Sequence, residues 1–334
     1  DLMGVHDITT MNYIRHKLDE IDCRILIYGE GWQGGPSALP RENAATKSNA
    51  EKLSDRIALF NDDMRDALKG NAFDVHAKGY LGGAMDAAVY AGLTEFVKAG
   101  VVGATPHPHV MYHDGAYPFA KRPTQTVTYN SSHDNYTLFD KLALANPDLD
   151  EEMLIKLNKL AAVLTLTSQG IAFLHGGEEL LRQKKRPDGT FEHNSYNSPD
   201  SVNQIVWERK QRYRGVFDYY KGLIAFRRAH KVLRMTTTED TARFVRFLYT
   251  QPENRLCYRL AAAEAGDTAQ RIVVIINPTT EPFDCRFVSD TEDDSRGYAV
   301  YADGERAGNT PLYPVTGETV TVPPVVALVL VKEQ

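Results

Sequence analysis

Three acidic residues and one histidine in this sequence have the types and settings that cleavage of a glycosidic bond requires. Glu30 stands between Gly29 and Gly31 and is followed by Trp32. It ends a short apolar run, residues 24–28, whose Ile and Leu content suits a strand buried on both faces. A strand that stops at a charged residue in a glycine-flanked turn delivers that residue to the rim of a sheet or barrel. Barrel enzymes keep their reactive side chains at such strand ends. Asp1 and Asp134 occupy comparable positions, the latter just after the β-branched and aromatic run 125–130. Hydrolysis with retention takes one carboxylate as nucleophile and a second carboxyl as acid/base, about 5–5.5 Å apart. A third acid can hold the substrate or support the positive charge that develops on the ring. His133, beside Asp134, can donate a hydrogen bond to a sugar hydroxyl, and Trp32 offers an apolar ring on which a sugar face can lie. The plainer reading of the same stretch is a solvent-exposed turn capped by Glu30, with Trp32 filling a gap in the core.

The elements that must position these residues alternate in type. From Asp7, Met11, Ile14, Leu18 and Ile21 recur at helical intervals. After strand 24–28 and a loop over 37–49, the pattern predicts a helix over 51–68 that ends near Gly70. A short strand follows at 72–75, then a helix over 86–98 with Met85 and Tyr90 as core, closed by 100–104. A proline-rich loop covers 105–122. Strand 125–130 leads into Ser132-His133-Asp134-Asn135, a helix spans 151–167, and strand 171–174 ends in His175-Gly-Gly-Glu-Glu179. Residues 213–228 are helical, with Phe217, Tyr220 and Ile224 as the apolar stripe. Strands alternating with helices imply parallel βαβ units. Past Ala242 the texture changes to short runs (244–249, 256–260, 272–276, 283–287, 298–301 and 325–331) separated by turn residues, the habit of an antiparallel β-sandwich.

Four βα units are visible, whereas a closed barrel needs eight. The predicted architecture is therefore half of a (β/α)8 barrel over residues 1–236, followed by an all-β antiparallel sandwich over 237–334. Half a barrel exposes unpaired parallel edges, which should drive dimerisation or disorder near Asp1. The sequence opens at Asp1-Leu-Met-Gly-Val-His6 without an initiator Met and reads as the middle of a longer protein, so the compartment stays open.

Composition narrows the partners. With 334 residues, 43% of them apolar and 25% charged, the chain can bury a sizeable core. A net charge of −6 supplies no basic field for nucleic acid. No apolar run reaches the ~18 residues that span a bilayer. Cys23, Cys257 and Cys285 are far apart in sequence, with no CxxC pair; the last two fall in candidate strands of one region and read as buried free thiols. His107, His109 and His113 lie in a proline-stiffened loop with no acid or cysteine cluster, so no metal is expected there and contact with solvent or sugar is. The glycine-rich stretch 29–35 lacks the Lys-Ser/Thr of a phosphate loop, and the basic run 182–186 reads as a solvated loop.

Several motifs together resemble the α-amylase family of glycoside hydrolases, closest to its type I pullulanases. They are Asp1-Leu-Met-Gly4, Tyr28-Gly-Glu-Gly-Trp32, Phe60-Asn-Asp-Asp-Met-Arg65 before Ala67-Leu-Lys-Gly70, Ser132-His-Asp-Asn135, His175-Gly-Gly-Glu-Glu179, and Asn194-Ser-Tyr-Asn-Ser-Pro-Asp-Ser-Val-Asn203. The likeness runs from Asp1 to about His230. It implies Asp1 as nucleophile, Glu30 as acid/base and Asp134 as transition-state stabiliser, with His133 binding the sugar beside it. It also implies substrate contacts from Trp32, Asn135, Asn194, Tyr196, Asp200 and Asn203. The implied reaction is retaining hydrolysis of α-1,6 links in pullulan or branched starch. No cofactor is implied, while calcium use by a full-length enzyme stays open. The family's first motif and the arginine two residues before its nucleophile are absent, and Gly31 stands where the family often has proline. The implied protein is thus the C-terminal half of such an enzyme, inactive alone and completed by its N-terminal half or by self-association. The rivals are a non-catalytic α-glucan-binding or assembly fragment and another α-1,6-acting relative.

Overall fold

The computed structural model describes residues 1–82, 87–112, 117–250, 254–288 and 295–334. Expectations for Met85, for the start of the helix at Asp86 and for His113 lie outside these residues.

The first two-thirds of the chain is built on four parallel strands: β1 (Ile27–Gly29), β2 (Ile57–Phe60), β3 (Thr126–Thr128) and β4 (Ile171–Ala172), hydrogen-bonded in that order. Their register is continuous: Gly29 lies opposite Leu59, Phe60 opposite Val127, and Thr128 opposite Ala172. The connecting and flanking helices are α1 (Ile8–Ile21), α2 (Asp62–Lys69), α3 (Ala87–Val101), α4 (Leu138–Ala145), α5 (Glu151–Thr167), the single-turn α6 (Asp200–Asn203) and α7 (Arg209–Arg212), and α8 (Arg214–Ala229). Several start at a side chain that accepts a hydrogen bond from an otherwise free amide of the first turn. Asp7 caps α1, Asn61 caps α2, Thr137 caps α4 and Asp150 caps α5.

Four expectations change. The predicted helix over 51–68 is instead a 3₁₀ segment, strand β2 and helix α2. Ile57, Ala58, Leu59 and Phe60 are all buried, a consecutive apolar run that fits a strand with both faces covered. Asn61 then accepts the Met64 amide and starts a helix at once. The predicted strand at 72–75 is a loop, because Asn71 and Asp74 capture backbone amides two residues on, those of Phe73 (2.8 Å) and His76 (3.0 Å). The run at 24–28 is not buried on both faces. Among the described residues β1 pairs with β2 alone, and Leu26 just before it and Tyr28 within it are exposed. The stripe of α8 is Val216, Tyr219, Tyr220, Leu223 and Phe226, while Ile224 faces solvent.

The last third begins with α9 (Thr238–Phe244), capped by Thr237, and continues in eight strands: β5 (Val245–Leu248), β6 (Leu256–Leu260), β7 (Ala269–Asn277), β8 (Phe283–Arg286), β9 (Tyr298–Ala302), β10 (Tyr313–Pro314), β11 (Thr319–Val322) and β12 (Val326–Glu333). Six form an antiparallel sheet in the order β10-β9-β12-β7-β6-β5, and β11 and β8 form a separate two-stranded antiparallel sheet. Period-two alternation sends Ile272, Val274 and Ile276 of β7, with Val329 and Val331 of β12, into one apolar cluster. Val273, Ile275, Leu328 and Leu330 enter another, which also contains Phe283, Cys285 and Val322 of the two-stranded sheet. Cys257 and Cys285 are both free and buried in this second cluster. The first cluster is continuous with the helices of the parallel sheet, reaching Met64 of α2, Leu160 and Leu164 of α5, and Tyr220 of α8. Hydrogen bonds cross the same boundary, from Lys159 to the Gly304 carbonyl (2.8 Å) and between the His107 ring and the Val245 carbonyl (3.1 Å).

The close approach of α8 to the last third depends on Gly222, where a Cβ would overlap the carbonyl of Ala307. In an isolated helix Gly→Ala is favourable by about 1 kcal/mol. Here overpacking reverses the sign, and Gly222→Ala is expected to destabilise the protein by about 1–3 kcal/mol in urea denaturation.

Candidate active site

Each strand of the parallel sheet ends on the same rim, and the residues that follow the strands converge there. Glu30 leaves β1 with its side chain almost wholly buried. Its Oε2 accepts the Leu2 amide at 2.9 Å, and its backbone carbonyl accepts the Gly4 amide at 3.2 Å. These two bonds lay the opening residues alongside β1 and bring the Asp1 carboxylate to the Glu30 carboxylate. One ligand atom each from Asp1, Glu30 and His133 lies within 4.8 Å of the other two. The His133 Nε2 sits among three acids, 3.9 Å from Asp1, 4.0 Å from Glu30 and 3.6 Å from Asp134. Asp1, His133 and Asp134 are exposed, so Glu30 is the one carboxylate of the group drawn into the protein. Two carboxylates and an imidazole at this spacing could also admit a divalent cation, and among the described residues this is the one such set.

Beside them a cleft of about 550 Å³ is lined by Glu30, Trp32, Asp134, Asn135 and Asn194, all singled out in the sequence. Trp32 has two contacts. It packs against the cluster of Phe60, Val127 and Tyr129 and also faces the cleft. Gly31 is required by packing, because a Cβ there would lie 2.8 Å from the Lys47 amide nitrogen, whose N–H donates to the Gly31 carbonyl at 2.9 Å. Asn135 adopts a left-handed backbone (φ 62°) directly after Asp134.

Tyr196, Asp200 and Asn203 do not line this cleft. Tyr196 projects into solvent at 78% exposure, Asp200 opens the single turn α6, and the Asn203 amide donates to the Ser195 and Ser198 carbonyls. The loop thus closes on itself and presents Asn194. His107, expected to meet solvent or sugar, is buried against β5, and burial holds its ring down to about pKa 4, neutral at physiological pH. His109 is exposed, with its Nδ1 accepting the Phe247 amide.

Several residues of the site have no role assigned in the sequence reading, although Asp62 and Arg65 fall in the Phe60–Arg65 motif and Glu178 in the His175–Glu179 motif. Asp62, Arg65, Phe73 and His193 also line the cleft. Arg65 is fixed by Asp66 (2.6 Å) and the Tyr129 hydroxyl (2.9 Å). Beneath the rim, Glu178 is buried and accepts three hydrogen bonds, from Asn130 (3.2 Å), Ser131 (3.2 Å) and Tyr220 (3.0 Å). Asn130 and Ser131 immediately precede the Ser132–Asn135 turn, so this carboxyl ties β3 and its turn to α8. Burial raises Glu178 to about pKa 7 against the opposing pull of those donors and of Lys69. Lys69, also buried, is pushed down to about 7 by the same desolvation.

No family model matches the chain. A pullulanase of Bacillus subtilis strain 168 is 32% identical over 290 residues, 87% of this chain and 38% of that protein. Among solved structures, a pullulanase from Bacillus acidopullulyticus superposes with a TM-score of 0.85 at 34% identity, covering 99% of this chain and 37% of the other. A pullulanase from Paenibacillus barengoltzii, solved with maltohexaose and α-cyclodextrin, gives 0.83 at 35% identity, covering 100% and 47%. Sequence and fold therefore define the chain as a homologue of the α-amylase-family glycoside hydrolases. Within that family these homologues are pullulanases, and the chain spans less than half the length of each of the three.

The Glu178 shift has a consequence for stability. Its folded pKa of about 7 lies above its ordinary 4.5, so the folded state keeps a proton that the unfolded chain releases. The group's contribution is full below about pH 4.5 and is lost as pH rises through 7. Lys69, shifted the other way, acts in the window above 7. Urea denaturation at pH 5 and pH 7 is expected to show that Glu178→Gln loses less stability between the two than the unaltered chain.

Proposed function

We propose that this chain carries the reacting carboxylates of a retaining hydrolase of α-1,6-glucosidic links, acting on pullulan or branched starch. In this reading residues 1–236 are half of a (β/α)8 barrel and residues 237–334 a β-sandwich that covers its helices. The remaining barrel strands would come from sequence beyond these 334 residues, or from a partner. Asp1 is the nucleophile, Glu30 the acid/base and Asp134 the stabiliser of the ring's developing positive charge.

The observation that carries the reading is the short separation of Asp1 and Glu30, within 4.8 Å, beside a cleft walled by Trp32 and Asp134. That spacing suits direct attack on the sugar carbon. Inverting enzymes hold their two carboxyls about 6.5–9.5 Å apart to admit a water between them. Glu30 is buried and accepts an amide hydrogen bond, an arrangement that fixes its direction, while Asp1 is exposed at the mouth. The acid/base gives its proton to the bridging oxygen as Asp1 attacks, then withdraws one from the water that releases the sugar from Asp1. His133, between the three acids, is placed to hydrogen-bond a hydroxyl of the same sugar. Trp32 and the protruding Phe73 offer apolar rings to glucose faces.

One observation favours a second reading. β1 is an open edge, with Tyr28 51% exposed on it, and a chain left in that state would bind α-glucan or associate through the edge without turnover.

The test is pullulan hydrolysis by the chain alone and by the chain extended with its upstream half. Under the proposal the chain alone is inactive and the extended form cleaves pullulan, with the product's anomeric configuration retained at early times. Glu30→Gln and Asp134→Asn each lower kcat by about 10³-fold or more with the fold intact. An inverted product, or unchanged turnover in Glu30→Gln, would overturn it. Affinity for maltooligosaccharide without turnover in either form would select the binding reading.

A further inference from the structure

Among the described residues no hydrogen bond reaches the Asp134 carboxylate, and its ion-pair neighbour is the exposed His133 at 3.6 Å. Its position therefore depends on the backbone that carries it. That backbone is unusual, because Asn135 holds a left-handed conformation (φ 62°). Asn tolerates that region better than most residues, yet a non-glycine residue stays there only where its surroundings hold it.

Lys184 supplies that hold. It lies in a segment the mechanism above does not use, and the side chain is buried to 1% exposure. Its ammonium donates to the backbone carbonyl of His133 and, at 3.0 Å, to that of Asn135. Those two carbonyls belong to the residues on either side of Asp134. Gripping both restricts the peptide planes that set the direction of the Asp134 side chain. The rest of Lys184 is anchored in turn. Its amide donates to Asp140 Oδ2 at 2.8 Å, within α4, and its carbonyl accepts the Glu192 amide at 2.8 Å. Glu192 Oε1 accepts the Asn194 amide at 2.9 Å. One residue thus joins the turn bearing Asp134 to the strand-like segment that presents His193 and Asn194 on the facing wall of the cleft.

We propose that Lys184 is a positioning residue for Asp134, holding the His133–Asn135 turn in its strained form through the two flanking carbonyls. The inference rests on the reading of Asp134 given above. An uncharged, donor-free side chain at 184 would leave two partly buried carbonyls without their donor, a penalty that the turn relieves by relaxing toward solvent. The alternative is that Lys184 only fills space under the loop. In that case its loss would lower the folded fraction without altering what a folded molecule does.

Lys184→Met separates these. Backbone amide exchange of residues 132–136 in the full chain is expected to rise about 10-fold or more, while exchange elsewhere stays within about twofold. In whichever form cleaves pullulan, kcat per folded molecule falls about 100-fold with KM within about twofold, as expected for misplacement of a group that acts in the transition state. Should the Met variant not fold, Lys184→Gln, which retains a donor of shorter reach, is expected to show the same pattern at smaller amplitude. Unchanged exchange at 132–136, or a rise spread evenly over the chain, would overturn the inference, as would wild-type kcat in the folded fraction. If no form cleaves pullulan, the hydrolase reading fails and the exchange measurement still decides the role of Lys184.

Discussion

The site depends on the register of four short parallel strands. Gly29 beside Leu59, Phe60 beside Val127 and Thr128 beside Ala172 form a ladder with no slip, so all four strands finish at one level. The side-chain period of a strand is two, and a shift of one residue in any pair would turn Glu30 or the Ser132–Asn135 turn toward another face. Parallel strands also need long crossover connections, helical between β2 and β3 and between β3 and β4 and made of 3₁₀ turns between β1 and β2. Everything polar in the site is hung from the rim. Glu30 follows β1, Asp62 and Arg65 follow β2, Asp134 follows β3, and Glu178 follows β4.

A second layer turns convergence into fixed geometry. Glu178 holds Asn130 and Ser131 from below, and Lys184 holds His133 and Asn135 from the side. The exposed acids are thereby supported by buried groups of opposite or suppressed charge. Removing water from a carboxyl and an ammonium is costly unless each finds partners, and here the partners are mostly backbone carbonyls, amides and hydroxyls rather than countercharges.

Some of this was legible in the residues and some was not. The helix at 151–167 has the bounds that its recurring apolar positions imply, and the structure adds the Asp150 cap at its start. Glu30 and Asp134 stood out because a charged residue directly after an apolar or β-branched run is a local signal. β2 was lost inside a supposed helix, since four consecutive apolar residues fit either period and only burial on both faces decides. The stripe of α8 was misplaced by one position, with Ile224 outward, because an aromatic-rich helix carries apolar residues on more than one face. Arg65 and Glu178 fall in recognised motifs without a role of their own, and Lys184 falls in a basic run that reads as solvated although it is buried; their roles lie in partners more than 40 residues away that only the fold brings near. The same limit applied to Tyr196 and Asn203, whose motif was visible while the inward closure of their loop was not.

The six-stranded sheet of the last third has no face of its own to spare. One side is sealed by the β8–β11 strand pair, and the other is the floor on which α5 and α8 rest. Neither portion of the chain can be excised without uncovering apolar side chains of the other. The C-terminal portion is therefore not an interchangeable module. Recombination that swapped it between relatives would have to preserve the seam as well as the sheet, and the two portions are bound to drift in sequence together.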